Sequence, residues 1–287
     1  IKDANRSTIS KTRIVAGGRT TVSQQIVRVD KESKEPMGKA QEQQLEEYLK
    51  QVLPQVKGVV LSDYGSGTIT DKLLGQIFAY CQEHNIPTIV DSRYDILRFK
   101  TVDYIKQNDA ELSAAIGRDL ATEEELVQGG CELLLKMSAK GALITRGEDG
   151  MSLFQIISPQ EVADYLKSQE ASGSGEAGQF REGLTVKLVV KRQTGRLSVV
   201  QELISYQDRD ILVSHIPVTD KSEVYDVSGA GDTCVATVIL GLAAGLEPLL
   251  ACQLSNEASG IAVRKMGTSV VYAQELEARF RQLGYEA

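Results

Sequence analysis

Between residues 56 and 154, short apolar runs alternate with amphipathic segments, and this rhythm restricts the fold more than any other feature of the chain. Residues 56–62, 86–91 and 141–145 are brief and apolar, the pattern of strands buried on both faces, and 103–106 is a shorter run of the same kind. Residues 71–84 read as a helix, because Leu73, Leu74, Ile77, Phe78 and Cys81 recur on one face. A second helix starts near Ala110, and a third covers 122–137. Strands separated by helices pair in parallel, since a parallel pair needs a long crossover. The expectation is an α/β fold with a mostly parallel sheet covered by helices on both faces.

The flanks are different. Residues 12–16 and 25–30 read as two strands around the turn-prone Gly17-Gly18, and a polar helix over 39–53 stops near Pro54. After Phe154 the rhythm breaks. Residues 156–216 read as an insertion within a single domain of residues 1–287. It includes a flexible polar stretch over 172–178, followed by two β-rich runs, 184–191 and 197–204, around Thr194-Gly195. These runs predict a β-hairpin on the surface; the alternative is a disordered loop with incidental β-propensity. Helices are expected again over 232–245, 248–265 and 274–283.

Composition removes several classes of function. The net charge of −7 argues against a general nucleic-acid binder, but leaves room for a local basic pocket facing a phosphorylated metabolite. The 4 cysteines form no C-x-x-C pair, and only His84 and His215 could join them, so a zinc cluster is not expected. Buried thiols in a reducing cytosol are the default reading. The longest apolar run, 234–246, is broken by threonine and glycine and is too short to span a bilayer; no signal peptide is visible, so a cytoplasmic protein is expected.

The segment Ser228-Gly229-Ala230-Gly231-Asp232-Thr233 opens an apolar helix. Small residues let a ligand approach the backbone closely. The first amides of a helix lack internal partners, and the peptide dipoles place partial positive charge beside them, so such a terminus binds phosphate. Asp232 would repel that ligand unless it acted on it, and a general base for an attacking hydroxyl is such an action. An N-capping aspartate after a glycine turn is the competing reading of an isolated G-x-G-D.

The flanking residues favour the first reading. Asp226-Val227-Ser228-Gly229-Ala230-Gly231-Asp232 resembles the D-x-x-G-A-G-D signature of the ribokinase-like (PfkB) carbohydrate kinases. Asn108-Asp109-Ala110-Glu111 is similar to that family's N-x-x-E motif, and Thr145-Arg146-Gly147 with Gly150 to its T-x-G…G segment. Asn256 with Lys265-Met266-Gly267-Thr268 resembles the helix and loop on the adenine side. Within the family, Leu61-Ser62-Asp63-Tyr64-Gly65 and the residues around Asp226 look most like the heptose 7-phosphate kinases of ADP-heptose synthesis, which usually carry lysine where this chain has Ser66.

The resemblance implies a ribokinase-like three-layer α/β/α fold and an ATP-dependent transfer of phosphate to a sugar or sugar-phosphate hydroxyl. Asp232 would be the base, and the amides of Gly229, Ala230 and Gly231 would hold the developing charge. Glu111 with Asn108 would hold Mg²⁺ through water, although Asn followed by Glu three residues later is also a capping box. Thr145, Gly147, Gly150, Asn256 and Gly267 would face ATP. Asp63, after a strand, contacts substrate or forms a turn; Asp226 is a further substrate candidate. Lys11, Arg13 and Arg93 are the cations that could grip a sugar phosphate.

Two departures complete the reading. The family's opening strands and its G-G-x-x-x-N sugar motif are not found, because no asparagine follows Gly17-Gly18 at the right offset. The resemblance therefore implies an N-terminally incomplete fold, and as partners a small-molecule sugar or sugar phosphate and either a second copy of the chain or a protein supplying those strands; neither nucleic acid nor membrane is implied. No H-x-G-H nucleotidyltransferase motif occurs in these residues. A non-catalytic nucleotide-binding or assembly protein derived from a sugar kinase is the competing function, and a kinase acting on a nucleoside, fructose or keto-deoxy sugar is a third.

Overall fold

The computed structural model describes residues 1–3, 6–17, 24–33, 37–172, 175–178, 180–181, 183–194, 197–221 and 224–284. Strands β1 (Ser10–Ala16) and β2 (Gln24–Lys31) pair antiparallel as a separate two-stranded ribbon. The turn expected at Gly17-Gly18 lies partly outside the described residues. Helix α1 (Lys39–Val52) follows. The expected rhythm then appears: β3 (Val59–Asp63), α2 (Asp71–Glu83), β4 (Thr88–Ser92), β5 (Tyr104–Asn108), α3 (Asp109–Ile116), α4 (Glu123–Met137) and β6 (Gly141–Thr145). Local sequence sets the helix starts. Thr122 and Glu125 form a reciprocal capping box at α4, and the Thr70 hydroxyl accepts from the Leu73 amide at α2.

Strands β3 to β6 pair in parallel, in chain order. Beyond β6 the expectation of a mostly parallel sheet fails. β7 (Met151–Ile156) folds back antiparallel on β6. β12 (Arg209–Ile216) pairs with β7, β11 (Leu197–Tyr206) with β12, and β10 (Leu184–Thr194) with β11, all antiparallel. Two short strands, β8 (Gly175–Ala177) and β9 (Phe180–Arg181), finish that edge, giving a mixed ten-stranded sheet. The reason lies in the connections: two to five residues separate β6 from β7, β10 from β11 and β11 from β12, too few for the long crossover that parallel pairing needs.

The hairpin expected over 184–204 is present as the β10–β11 pair. It is not a surface excursion, because it continues the main sheet through β12, with Leu184, Val186, Val190, Leu197, Val199, Leu203 and Ile204 buried. Its alternating side chains reach both sheet faces: Leu184, Val186 and Ile204 join the core under α2 to α4, and Val199 joins the core on the other face. The stretch read as flexible and polar is bounded by structure: α5 (Pro159–Ser172) precedes it and β8 occupies residues 175–177, while Gly173 and Ser174 lie outside the described residues.

Helices α6 (Ala230–Ala243), α7 (Pro248–Ala262) and α8 (Ala273–Gln282) close the chain. Alternation along the strands divides the interior into two cores, one per sheet face. Val90, Ala142, Ile144 and Phe154 pack with Leu74, Ile77, Leu112 and Leu134 of α2, α3 and α4. Their neighbours Ile89, Leu143 and Leu153 turn to the other face and pack with Val235, Val238 and Cys252 of α6 and α7. The layers are thus helix, sheet, helix, as expected. Among the described residues no helix is long and apolar enough to cross a membrane.

Candidate active site

The C-terminal ends of the parallel strands and the start of α6 meet at one place, where open α/β sheets place their ligands. Gly229 precedes α6 with φ of 82°, a left-handed turn that favours glycine. That turn sends the Ala230 amide back to the Val227 carbonyl at 3.2 Å. Ala230 is therefore not one of the bare amides, which corrects the sequence reading. The amides of Gly229, Gly231 and Asp232 donate to no protein acceptor among the described residues. An ideal Cβ on Gly231 would stand 3.1 Å from the Lys106 ammonium, so the helix start sits directly on that side chain.

Two cavities share this helix start, and both touch Val227 and Gly231. The smaller, about 340 Å³, brings together Thr145, Gly147, Gly150, Ala230 and Asn256 of the expected residues. Gly150 has φ of 85°, and a Cβ there would fall 2.1 Å from the Ile216 carbonyl oxygen, so glycine is required at this bend. The Asn256 amide donates to the Pro217 carbonyl at 2.9 Å. On the far wall the buried Glu257 accepts from Arg279 at 2.8 Å and from the Thr219 hydroxyl at 2.7 Å, which ties α8 and the 217–221 segment to α7.

The larger cavity, about 840 Å³, brings together Arg13, Asp63, Arg93, Asn108, Glu111, Gly229, Gly231 and Asp232, with Lys11. Its lining is charged on both sides. The ribbon side contributes Lys11, Arg13 and Arg28 with Glu32; α6, α3 and the strands and their ends contribute Asp232, Glu111 and Asp91 with Lys106 and Arg93. Asp232 is exposed to the cavity, and its Oδ1 accepts from the Tyr64 hydroxyl at 3.2 Å.

Several expected residues prove to be committed elsewhere. Asp63 is 6 % exposed; its carboxylate accepts from the Ser92 hydroxyl at 2.9 Å and from the Gly65 amide at 3.1 Å, holding the turn after β3. Asn108 and Glu111 form the capping box of α3, with bonds of 2.7 and 2.9 Å, while lining the cavity. Asp226 and Gly267 line neither cavity. The Asp226 carboxylate accepts from the Ser228 amide at 2.8 Å and the Gly267 amide at 3.1 Å, pinning one loop to the other. Those bonds, the Ser228 amide first, hold its carboxyl below the usual range.

The sequence reading missed Lys106 and Asp91. They are paired positions on β5 and β4, their side chains meet at 3.0 Å, and Lys106 is 5 % exposed. Burial pushes the Asp91 carboxyl up; burial also opposes the Lys106 charge, but the Asp91 carboxylate outweighs it and the ammonium is held above its ordinary value. The pair is thus an ion pair beneath the start of α6. Each is a charged residue within a short, largely apolar run, and only the register of β4 on β5 pairs them.

Fold and site together define a three-layer α/β protein with a helix terminus between two cavities, of about 340 and 840 Å³. Residues 7–169 and 204–274 match the pfkB family of carbohydrate kinases, and the chain belongs to that family. It is 32 % identical over 276 residues to the bifunctional protein HldE of Geobacter metallireducens, covering 96 % of this chain and 44 % of that protein. It is 32 % identical over 280 residues to the bifunctional protein HldE of Hyphomonas neptunium, covering 97 % and 46 %. The chain therefore spans less than half the length of these relatives. Phosphofructokinase-2 from Escherichia coli in complex with potassium superposes with a TM-score of 0.57 at 18 % identity, over 93 % of this chain and 68 % of that one. Arabidopsis thaliana ribokinase complexed with ribose and ATP gives 0.54 at 14 %, over 96 % and 70 %. These likenesses establish the ribokinase-like fold. Sugar kinases of this family use ATP.

Proposed function

We propose that this chain transfers the γ-phosphoryl group of ATP to a hydroxyl of a sugar phosphate, with a heptose 7-phosphate as the acceptor that the sequence resemblance favours. The observation that carries the reading is the start of α6 forming part of both cavities, so that a donor and an acceptor can meet at Gly231. In this reading ATP fills the smaller cavity, against Thr145, Gly147, Gly150 and Asn256. The acceptor lies in the larger one, its own phosphate against Arg13 and Arg93, whose guanidinium forks match phosphate oxygens. Asp226 and Gly267 shape the site from behind.

Asp232 takes the proton from the acceptor hydroxyl, whose oxygen then attacks the γ-phosphorus while the bond to ADP breaks. The amides of Gly229, Gly231 and Asp232 and the Lys106 ammonium hold the negative charge that develops on the transferred group. Among the described residues no group of three or more His, Cys, Asp or Glu side chains converges as a metal cage. Mg²⁺ does not need one, since it keeps water and phosphate oxygens as ligands, and the Glu111 carboxylate beside the cavity suits it. Bound there, the ion would neutralise phosphate charge. Cys81, Cys131, Cys234 and Cys252 are all buried and unbridged, which supports a reducing, cytoplasmic setting.

The test is ATP turnover with a panel of sugars and sugar phosphates, compared with Asp232→Asn. Turnover with a phosphorylated sugar, lowered by about 10²–10⁴-fold in the variant, is the expected result. ATP binding with no turnover above the variant on any acceptor would instead establish a nucleotide-binding protein.

A further inference from the structure

We infer that Tyr64 is a positioning residue for the base: its hydroxyl, bonded to Asp232 Oδ1, sets the orientation in which the other carboxylate oxygen meets the acceptor. This rests on the kinase reading above. Among the described residues no other side chain or amide bonds that carboxylate, so without Tyr64 it turns freely at the rim of an open cavity. A general base contributes only when it lies within hydrogen-bond reach of the proton it removes.

The backbone on either side of Tyr64 is fixed. Before it, the buried Asp63 is held by Ser92, and the Asp63 carbonyl accepts the Arg93 amide at 3.1 Å. After it, Gly65 turns with φ of 68°, its amide on Asp63 Oδ1 at 3.1 Å. The ring is steadied from the ribbon side by Lys11, whose ammonium lies 5.0 Å from the ring centroid. Toward the Asp232 carboxylate the phenol is the donor. Burial first, and then the Asp232 charge, push its ionisation up, so it keeps its proton at neutral pH. The charged groups that act on it are Asp232, Asp91, Lys106 and Lys11.

Tyr64→Phe keeps the ring and removes the hydroxyl. The expected result is a kcat lowered about tenfold, with KM for ATP and for the acceptor each changed by less than about twofold, since the lost bond to a charged group acts on the base and not on either substrate. A kcat within about twofold of the parent, or an effect on KM alone, overturns the inference and leaves the kinase reading standing. A parent chain that turns over no acceptor overturns both. The contact itself is read without activity. Tyr64 is one of 10 tyrosines, so its alkaline titration is the absorbance difference between the chain and its Tyr64→Phe variant. Repeated in an Asp232→Asn background, that titration should move to lower pH. If it does not move, the contact is absent in solution and the inference falls whatever the kinetics show.

Discussion

Glu111 stands in two arrangements that substitutions can separate. Its carboxylate closes the capping box of α3, and its position beside the larger cavity suits Mg²⁺ in the proposed reaction. Glutamine serves the cap as well as glutamate does, so Glu111→Gln should leave thermal stability nearly unchanged. It should raise the Mg²⁺ concentration for half-maximal turnover by about tenfold, because it removes the charge a hard cation prefers. Glu111→Ala should also lose the cap, lowering unfolding free energy by about 1 kcal/mol in urea titration. An unchanged Mg²⁺ response in Glu111→Gln would restrict the residue to its cap. At this scale sequence is legible where a motif is contiguous. The glycine turn and Asp232 stood out because their chemistry is written in neighbouring positions. Lys106, Asp91 and Tyr64 did not, because their partners lie on other elements and only the register of β4 on β5, or the approach of α6 to the end of β3, brings them together. The Ala230 amide was miscounted for a similar reason: which amides stay bare depends on the turn at Gly229, not on the residue types.

Among the elements, α8 touches the smaller cavity only through Arg279, yet that contact fastens a wall. Arg279 bonds the Glu257 carboxylate and the Thr219 hydroxyl, each at 2.8 Å, and Glu257 is 3 % exposed. Removing Arg279 leaves the buried Glu257 carboxylate charged, with the Thr219 hydroxyl as its remaining donor among the described residues and no counter-charge, so Arg279→Ala should destabilise by roughly 3 kcal/mol. The 217–221 segment keeps its Thr219–Glu257 and Pro217–Asn256 bonds to α7 but loses its tie to α8, so KM for ATP should rise more than KM for the acceptor; equal effects on both would deny α8 this part. Deleting residues 168–183 is the converse experiment. It removes the end of α5 with β8 and β9, none of which lines either cavity, so nucleotide affinity by calorimetry should hold. Most helices and the parallel strands were legible because their apolar periods are long and their caps explicit. The missed elements had weaker signals. Helix α5 begins Ser158-Pro159-Gln160-Glu161, a capping-box sequence with proline at the first helical position, overlooked because little apolar periodicity follows. The β11–β12 turn places Gln207 and Asp208 at φ of 47° and 59°, a conformation usually marked by Asn-Gly, so the sequence carried no turn signal there.

For the molecule as a whole, several helix starts depend on ionised carboxylates, and this fixes how stability responds to acid. Glu125 at α4 is held below the usual range by the amides of Ala121 and Thr122. Glu161 at α5 is held down by the Ser158 hydroxyl and amide, and Glu275 at α8 by Lys265 and the Tyr272 amide. Asp226 adds the tie between the loops behind the site. For each, the unfolded chain takes up its proton at higher pH than the folded one. The stability they contribute is therefore complete above the ordinary carboxylate value and lost as pH falls through the depressed folded value. Asp91, pushed up by burial, acts in the opposite sense, since the folded state takes up that proton first. One group opposes several, and the net direction is destabilisation by acid. Thermal melts should show a nearly level Tm from about pH 7 to pH 5 and a steep fall below about pH 4, where carboxylates ordinarily titrate. Glu125→Gln and Glu161→Gln keep the capping bonds without the charge, so together they should lower Tm slightly at neutral pH and flatten the acid limb. A fall of equal steepness in that double variant would place the acid-sensitive carboxylates elsewhere than at the helix starts.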